Sequence, residues 1–177
     1  LGVSITCGAR DEYGRSFPAE LAKMLQQSTG EVYFCHNHGI CGETSSDLLR
    51  RIWPICRANQ SSKIMTLLIG TNDTQKNIPV EIYEDNLRQI ITAGKIHGKH
   101  IYLLTLPKLS FTPLYMKNTD KIVEYNSVIF KLAVEFNCNV IDLSGVEEHY
   151  IDGVHFKHSG NIEIANRTRR VILNSQT

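Results

Sequence analysis

The chain has 177 residues, of which 42% are hydrophobic and 21% charged, with 19 basic against 18 acidic side chains. That length fits one domain with a sizeable core, and the near-balance of charge argues against nucleic acid or an anionic membrane as the main partner. No apolar run approaches the roughly 20 residues of a spanning helix; no charged-then-apolar leader is visible, although a mature chain would have shed one.

The first predicted element is a strand over Leu1–Thr6, short because only Leu1, Gly2 and Val3 precede Ser4. A helical stripe follows in Phe17, Leu21, Met24 and Leu25, with Pro18 tolerated in the first turn. The second strand is read at Glu31–His36. Thr44-Ser45-Ser46-Asp47 matches a capping box ahead of Leu48, Leu49 and Ile52, and Pro54 is expected to kink or end that helix. Ile64–Ile69 is the third strand, Tyr83, Leu87, Ile90 and Ile91 the next stripe, and His100–Leu106 the fourth strand. Ile122, Ile129, Phe130 and Ala133 form a looser stripe, Asn139–Leu143 a fifth strand, and Ile164, Thr168, Val171 and Ile172 a last helix. Strands without polar alternation, separated by amphipathic helices, predict an α/β fold with a parallel sheet covered on both faces. No repeat or linker divides the chain, so a single domain over residues 1–177 is expected, its first strand truncated.

Five cysteines without regular spacing read as free thiols of a reducing, cytoplasmic setting rather than a disulfide framework. Cys35, His36, His38 and Cys41 crowd together, but no second ligand pair follows at zinc-site spacing, and buried strand thiols are the preferred reading. Asn59, Asn72 and Asn166 head glycosylation triplets of a kind that arises often by chance.

Ligands of open parallel sheets bind beyond the carboxyl ends of the strands. There the sequence places Ser4, the turn Asn37 to Thr44 with Gly42, the run Gly70-Thr71-Asn72-Asp73, and Asp152-Gly153-Val154-His155. Acyl transfer needs such a set. A serine hydroxyl becomes nucleophilic when an imidazole takes its proton, and the imidazole needs a carboxylate on its other nitrogen. Asp152 and His155, three apart in a turn, meet that requirement locally. The oxyanion then needs donors, available from the Ser4 and Gly42 backbone N–H groups and the Asn72 side chain. His38, His149 and His158 are read as surface or rim residues. The apolar segment Leu106–Met116, with Leu106, Leu109 and Phe111, reads either as a substrate-binding wall over an acyl cleft or as domain or dimer packing.

These four segments resemble, in order, the signature blocks of the SGNH/GDSL hydrolase superfamily, the GDSL-like lipases and acylhydrolases. Gly2 to Gly8 is similar to the G-D-S-I-T-x-G block, Asn37 to Thr44 to the block carrying the oxyanion glycine, Gly70 to Asp73 to G-x-N-D, and Asp152 to His155 to D-x-x-H. The resemblance implies a three-layer α/β/α sandwich of flavodoxin-like outline. It also implies ester or thioester hydrolysis of small-molecule, lipid or glycan substrates, with no metal or organic cofactor. Val3 stands where the family carries an aspartate supporting the nucleophile turn. That departure keeps two alternatives in view: an acyltransferase acting on a glycan with the same triad, and a binding module that has lost turnover. A nucleotide-binding flavodoxin-like protein is disfavoured, because the first strand-to-helix turn lacks a phosphate loop.

Overall fold

Apolar strands that alternate with amphipathic helices form a parallel ladder between helical layers. The computed structural model describes residues 1–110 and 119–175, with the side chains of Thr119 and Asp120 excepted. Strands β1 (Ile64–Leu67), β2 (His100–Leu104) and β3 (Asn139–Ile141) lie in that order. Both pairings are parallel, with Ile64 opposite His100 and Tyr102 opposite Asn139. The central strand β2 is buried from Ile101 to Leu104, as expected for a strand covered on both faces.

The two N-terminal strands do not form. Leu1 and Gly2 lie extended beside β1, with the Leu68 N–H donating to the Leu1 carbonyl at 3.1 Å, and Gly2 alone bridges Leu68 and Gly39. From Ser4 the chain turns into a one-turn helix, α1 (Ser4–Cys7), despite its β-branched residues. Glu31–His36 is not a strand either. It lacks a ladder partner, and Val32 and Phe34 are exposed rather than packed. Cys35 and Cys41 are therefore exposed thiols, not buried strand residues.

Helices α2 (Phe17–Thr29), α3 (Ser45–Ala58), α5 (Val80–Ile96), α6 (Thr119–Phe136) and α7 (His158–Asn174) follow the predicted stripes. A short α4 (Thr71–Gln75) and a 3₁₀ turn (Val146–His149) add to them. The Thr44 capping box is complete: Thr44 accepts from the Asp47 N–H, and Asp47 accepts from the Thr44 N–H at 2.9 Å. Helix α3 runs through Pro54 to Ala58, because a proline removes one internal bond without obliging the helix to stop. In the looser α6 stripe, Phe130 is exposed while Ile122, Ile129 and Ala133 are buried.

Helix α5 packs between α3 and α6, whereas α2 packs on α7. One apolar cluster runs from Val3 to Ile172 through both layers. At the α5–α6 contact Tyr83 stacks on Tyr125 with ring centroids 4.1 Å apart. The Tyr83 hydroxyl donates to the Ile69 carbonyl at 2.9 Å, which anchors the chain just before Gly70 and Asn72. No helix among the described residues is long and apolar enough to cross a membrane.

Candidate active site

The serine is placed by a strand stub that stops abruptly. Gly2 fits because a Cβ there would lie 2.2 Å from Thr6 Oγ1 and 2.3 Å from the Leu68 carbonyl. Val3 caps α1 with its backbone alone: its carbonyl accepts the Cys7 N–H at 2.9 Å, and its side chain is fully buried. Ser4 opens the helix at the end of the sheet.

The histidine comes from the other end of the chain. An antiparallel bridge between Tyr150 and Phe156 closes the turn that carries Asp152 and His155, and the Ile151 N–H donates to the His155 carbonyl at 2.8 Å. Phe156 is buried against Tyr150, and the Ser110 N–H holds the Gly153 carbonyl at 3.0 Å. The His155 ring then links two groups. Its Nδ1 lies 2.8 Å from Asp152 Oδ2, and its Nε2 lies 2.9 Å from Ser4 Oγ, a residue 151 positions away. Among the described residues, His155 is the one histidine hydrogen-bonded to Ser4. His38 meets Asn59, His149 meets Ser159, and His158 meets Asp11.

Asp152 is well provided with donors. Burial opposes its charge, but the His155 backbone N–H at 2.7 Å, the His155 ring and the Val154 N–H at 3.1 Å outweigh that cost. The carboxyl is held below its ordinary range, so it is ionised at neutral pH. Oδ2 also faces the Arg10 guanidinium at 2.8 Å.

The glycine turn beside Ser4 is pinned from several sides. Gly39 sits against α1 so closely that a Cβ would lie 2.4 Å from the Cys7 nitrogen. Asn37 donates to the Thr6 carbonyl at 2.7 Å and accepts from the Gly39 N–H at 2.9 Å. Gly42 adopts a left-handed φ of 79°, and Lys76 Nζ holds its carbonyl at 3.0 Å. Arg51 grips Glu43 through Nε and the His38 carbonyl through its terminal nitrogen. Asn72 donates to the Glu43 carbonyl at 2.8 Å, which uses one of its two amide hydrogens and leaves the other for a ligand. Beneath it Asp73 is fully buried, its carboxyl pushed up by burial despite hydrogen bonds from the Ser45 N–H and hydroxyl.

Leu106 and Leu109 are buried in the core; Phe111 lies outside the described residues. A cavity of about 620 Å³ opens beside β1 and the 32–38 segment, lined by Leu21, Leu25, Phe34 and Met65 among others. Neither Ser4, Asp152 nor His155 lines it, so it is separate from that trio. Two features had no signal in the sequence: Arg10, and the Asp11–His158–Asn161 network that ties the loop after α1 to α7. Their partners are far apart in the chain and belong to no local pattern.

The sequence profile of the GDSL-like lipase/acylhydrolase family matches residues 1–161. The chain belongs to that family. It is accordingly an esterase/acylhydrolase. Solved structures of the same architecture include an acetylxylan esterase from Geobacillus stearothermophilus, at 23% identity and a TM-score of 0.78, with 97% of this chain and 91% of that one covered. A protein assigned to the lipolytic G-D-S-L family of Desulfitobacterium hafniense aligns at 20% identity and a TM-score of 0.76, covering 97% and 96%. At these identities the likeness establishes the fold of this GDSL-family chain. No curated protein matches it.

Proposed function

We propose that this GDSL-family chain cleaves a carboxylic ester or thioester through an acyl-enzyme on Ser4, working as a single domain. The observation that carries the reading is the unbroken relay from Asp152 Oδ2 through both His155 nitrogens to Ser4 Oγ, at 2.8 and 2.9 Å. Asp152 accepts the Nδ1 proton and so fixes the tautomer in which Nε2 is free to act as base. As Ser4 Oγ attacks the carbonyl carbon, Nε2 takes the hydroxyl proton. The imidazolium then returns that proton to the departing alcohol or thiol, leaving the acyl group on Ser4. Water, deprotonated by the same nitrogen, releases the acid and restores the serine.

Each tetrahedral intermediate carries an oxyanion. The Ser4 and Gly42 backbone N–H groups and the second Asn72 amide hydrogen are assigned to it. The Lys76, Arg51 and Asn37 contacts support this assignment because they immobilise the loop before reaction, so no reorganisation is needed as charge develops. Leu106 and Leu109 contribute through packing in the apolar core, where Leu106 lies against Gly70.

Val3 is the reason to consider a binding module. It does not displace the nucleophile, since Ser4 Oγ lies within hydrogen-bond distance of Nε2, and turnover is favoured. The architecture shared with an acetylxylan esterase makes acetylated sugars the first natural esters to assay. The test compares wild type with Ser4→Ala on p-nitrophenyl esters from acetyl to long-chain acyl and on acetylated xylo-oligosaccharides. Adding an acceptor sugar separates hydrolysis from transfer. The proposal expects a wild-type rate at least about 10³-fold above Ser4→Ala; equal rates overturn it.

A further inference from the structure

Arg10 lies two residues beyond Gly8, which closes α1, and adopts a φ of 65°. This left-handed conformation disfavours an arginine, and a glycine would hold the turn without strain. The side chain does not simply extend into water. Its guanidinium lies 2.8 Å from Asp152 Oδ2, the same oxygen that accepts His155 Nδ1 at 2.8 Å. The other oxygen, Oδ1, accepts the backbone N–H groups of Val154 and His155. The triad carboxylate thus accepts three hydrogen bonds and pairs with one cation, which comes from the loop that follows the nucleophile's helix.

We propose that Arg10 is a positioning residue of the triad: it holds Asp152 against His155 and sets the pH at which His155 becomes available as base. The inference rests on the triad reading given above. A cation on Oδ2 cancels part of the carboxylate's field at the imidazole, so the imidazolium is stabilised less than by a lone aspartate. The base is then free at lower pH. Removing the cation moves the ascending limb of kcat/KM upward.

Most of the remaining titratable groups on the surrounding elements are engaged elsewhere or uncharged, and Glu12 accepts the His158 N–H at 3.0 Å. Tyr150 is kept neutral because burial pushes its phenol far above its usual range. Glu147 accepts the Lys108 N–H at 3.0 Å, and His149 faces Glu148 and Ser159. At the start of α7, His158 pairs with Asp11, and Lys157 makes no ion pair with Asp152. Among the described residues Arg10 is the one lysine or arginine paired with Asp152.

The Arg10 side chain is 61% exposed, so solvent screens the interaction and a limb shift of about 0.2–0.7 pH unit is expected. The experiment records pH profiles of kcat/KM on p-nitrophenyl acetate for wild type, Arg10→Gln, Arg10→Lys and Arg10→Gly, with Ser4→Ala as blank. NMR titration of the His155 imidazole supplies a readout independent of turnover. Gln and Gly shift both the limb and the titration upward, and Lys stays near wild type. Arg10→Gly melts no lower than wild type because it relieves the left-handed strain. In 1 M salt, where the Debye length falls to about 3 Å, the wild-type limb moves toward that of Arg10→Gln. Coincident limbs for Gln and wild type, a downward shift, or Lys behaving as Gln overturns the proposal. A wild-type rate no higher than the Ser4→Ala blank instead overturns the triad reading, and the NMR titration still decides whether Arg10 acts on His155.

Discussion

Replacing Asp152 by asparagine and by alanine separates a tautomer-fixing carboxylate from a merely structural one. The asparagine keeps an oxygen for the Val154 and His155 backbone N–H groups, which in the wild type bond Oδ1 at 3.1 and 2.7 Å, so the turn stays folded. The Oδ2 position, however, becomes an amide donor 2.8 Å from His155 Nδ1. That donor selects the wrong tautomer, with the proton on Nε2 pointing at Ser4, and the base is blocked. A loss of about 10³–10⁴-fold in kcat is expected, equivalent to ~4–5.5 kcal/mol in the barrier, with KM little changed. Asp152→Ala leaves the ring free to choose its tautomer and therefore retains more activity than Asp152→Asn, although it deprives two N–H groups of their acceptor. The assay is steady-state hydrolysis of p-nitrophenyl acetate, with circular dichroism to verify the fold. Near-wild-type activity in Asp152→Asn, or the asparagine variant outperforming the alanine one, would refute the reasoning.

Gly39→Ala places a Cβ where the Cys7 nitrogen is 2.4 Å away, forcing the glycine turn off α1; kcat/KM is expected to fall about 10²-fold, the effect of one lost oxyanion donor, and steady-state kinetics check it. Val3→Asn adds a side-chain cap to α1, worth about 1 kcal/mol, but gives up a fully buried valine worth ~1.5–3 kcal/mol. The net is destabilising, so the denaturant midpoint falls; a rise contradicts the ranking of these two effects. The Asp11 side chain is fully buried, and although burial opposes its charge, bonds from the Arg15 N–H, Asn161, the Tyr13 N–H and His158 hold the carboxyl below its ordinary value of 3.8. A depressed folded pKa gives stability that is complete above that ordinary value and is lost as pH falls through the lower folded one. Asp11→Ala should therefore cost ~2–3 kcal/mol at pH 7 in urea melts, and the gap to wild type should close at the acid end.

How much of this was legible in the sequence depended on whether the determinant was local. Helices α2, α3, α5 and α7 were readable because their buried residues recur at helical spacing, and Thr44 to Asp47 carries its own cap. Strands β1 to β3 were readable as short apolar runs, of which β2 is buried at successive residues. Glu31–His36 has the same apolar look but no ladder partner, and partners are a tertiary fact. Leu1–Thr6 has strand propensity, yet the backbone turns helical at Ser4 directly after its single bridge. Asp152 and His155 meet across three residues, so their contact was visible as spacing. Ser4 was singled out through its motif, since the partner it meets is 151 residues away. Arg10 and the Asp11 network had neither periodicity nor motif to betray them, because their partners lie far away in the chain; Asp73 closes the G-x-N-D block, but its bonds to Ser45 are a tertiary contact.

The central claim is that Ser4 is an activated nucleophile. Incubation with a fluorophosphonate probe, followed by intact mass and peptide mapping with Ser4→Ala as control, tests it most directly. The account predicts one adduct, on Ser4, absent from the alanine variant and forming faster as His155 loses its proton. A folded wild-type protein that takes up no adduct, or takes it up elsewhere, contradicts the account.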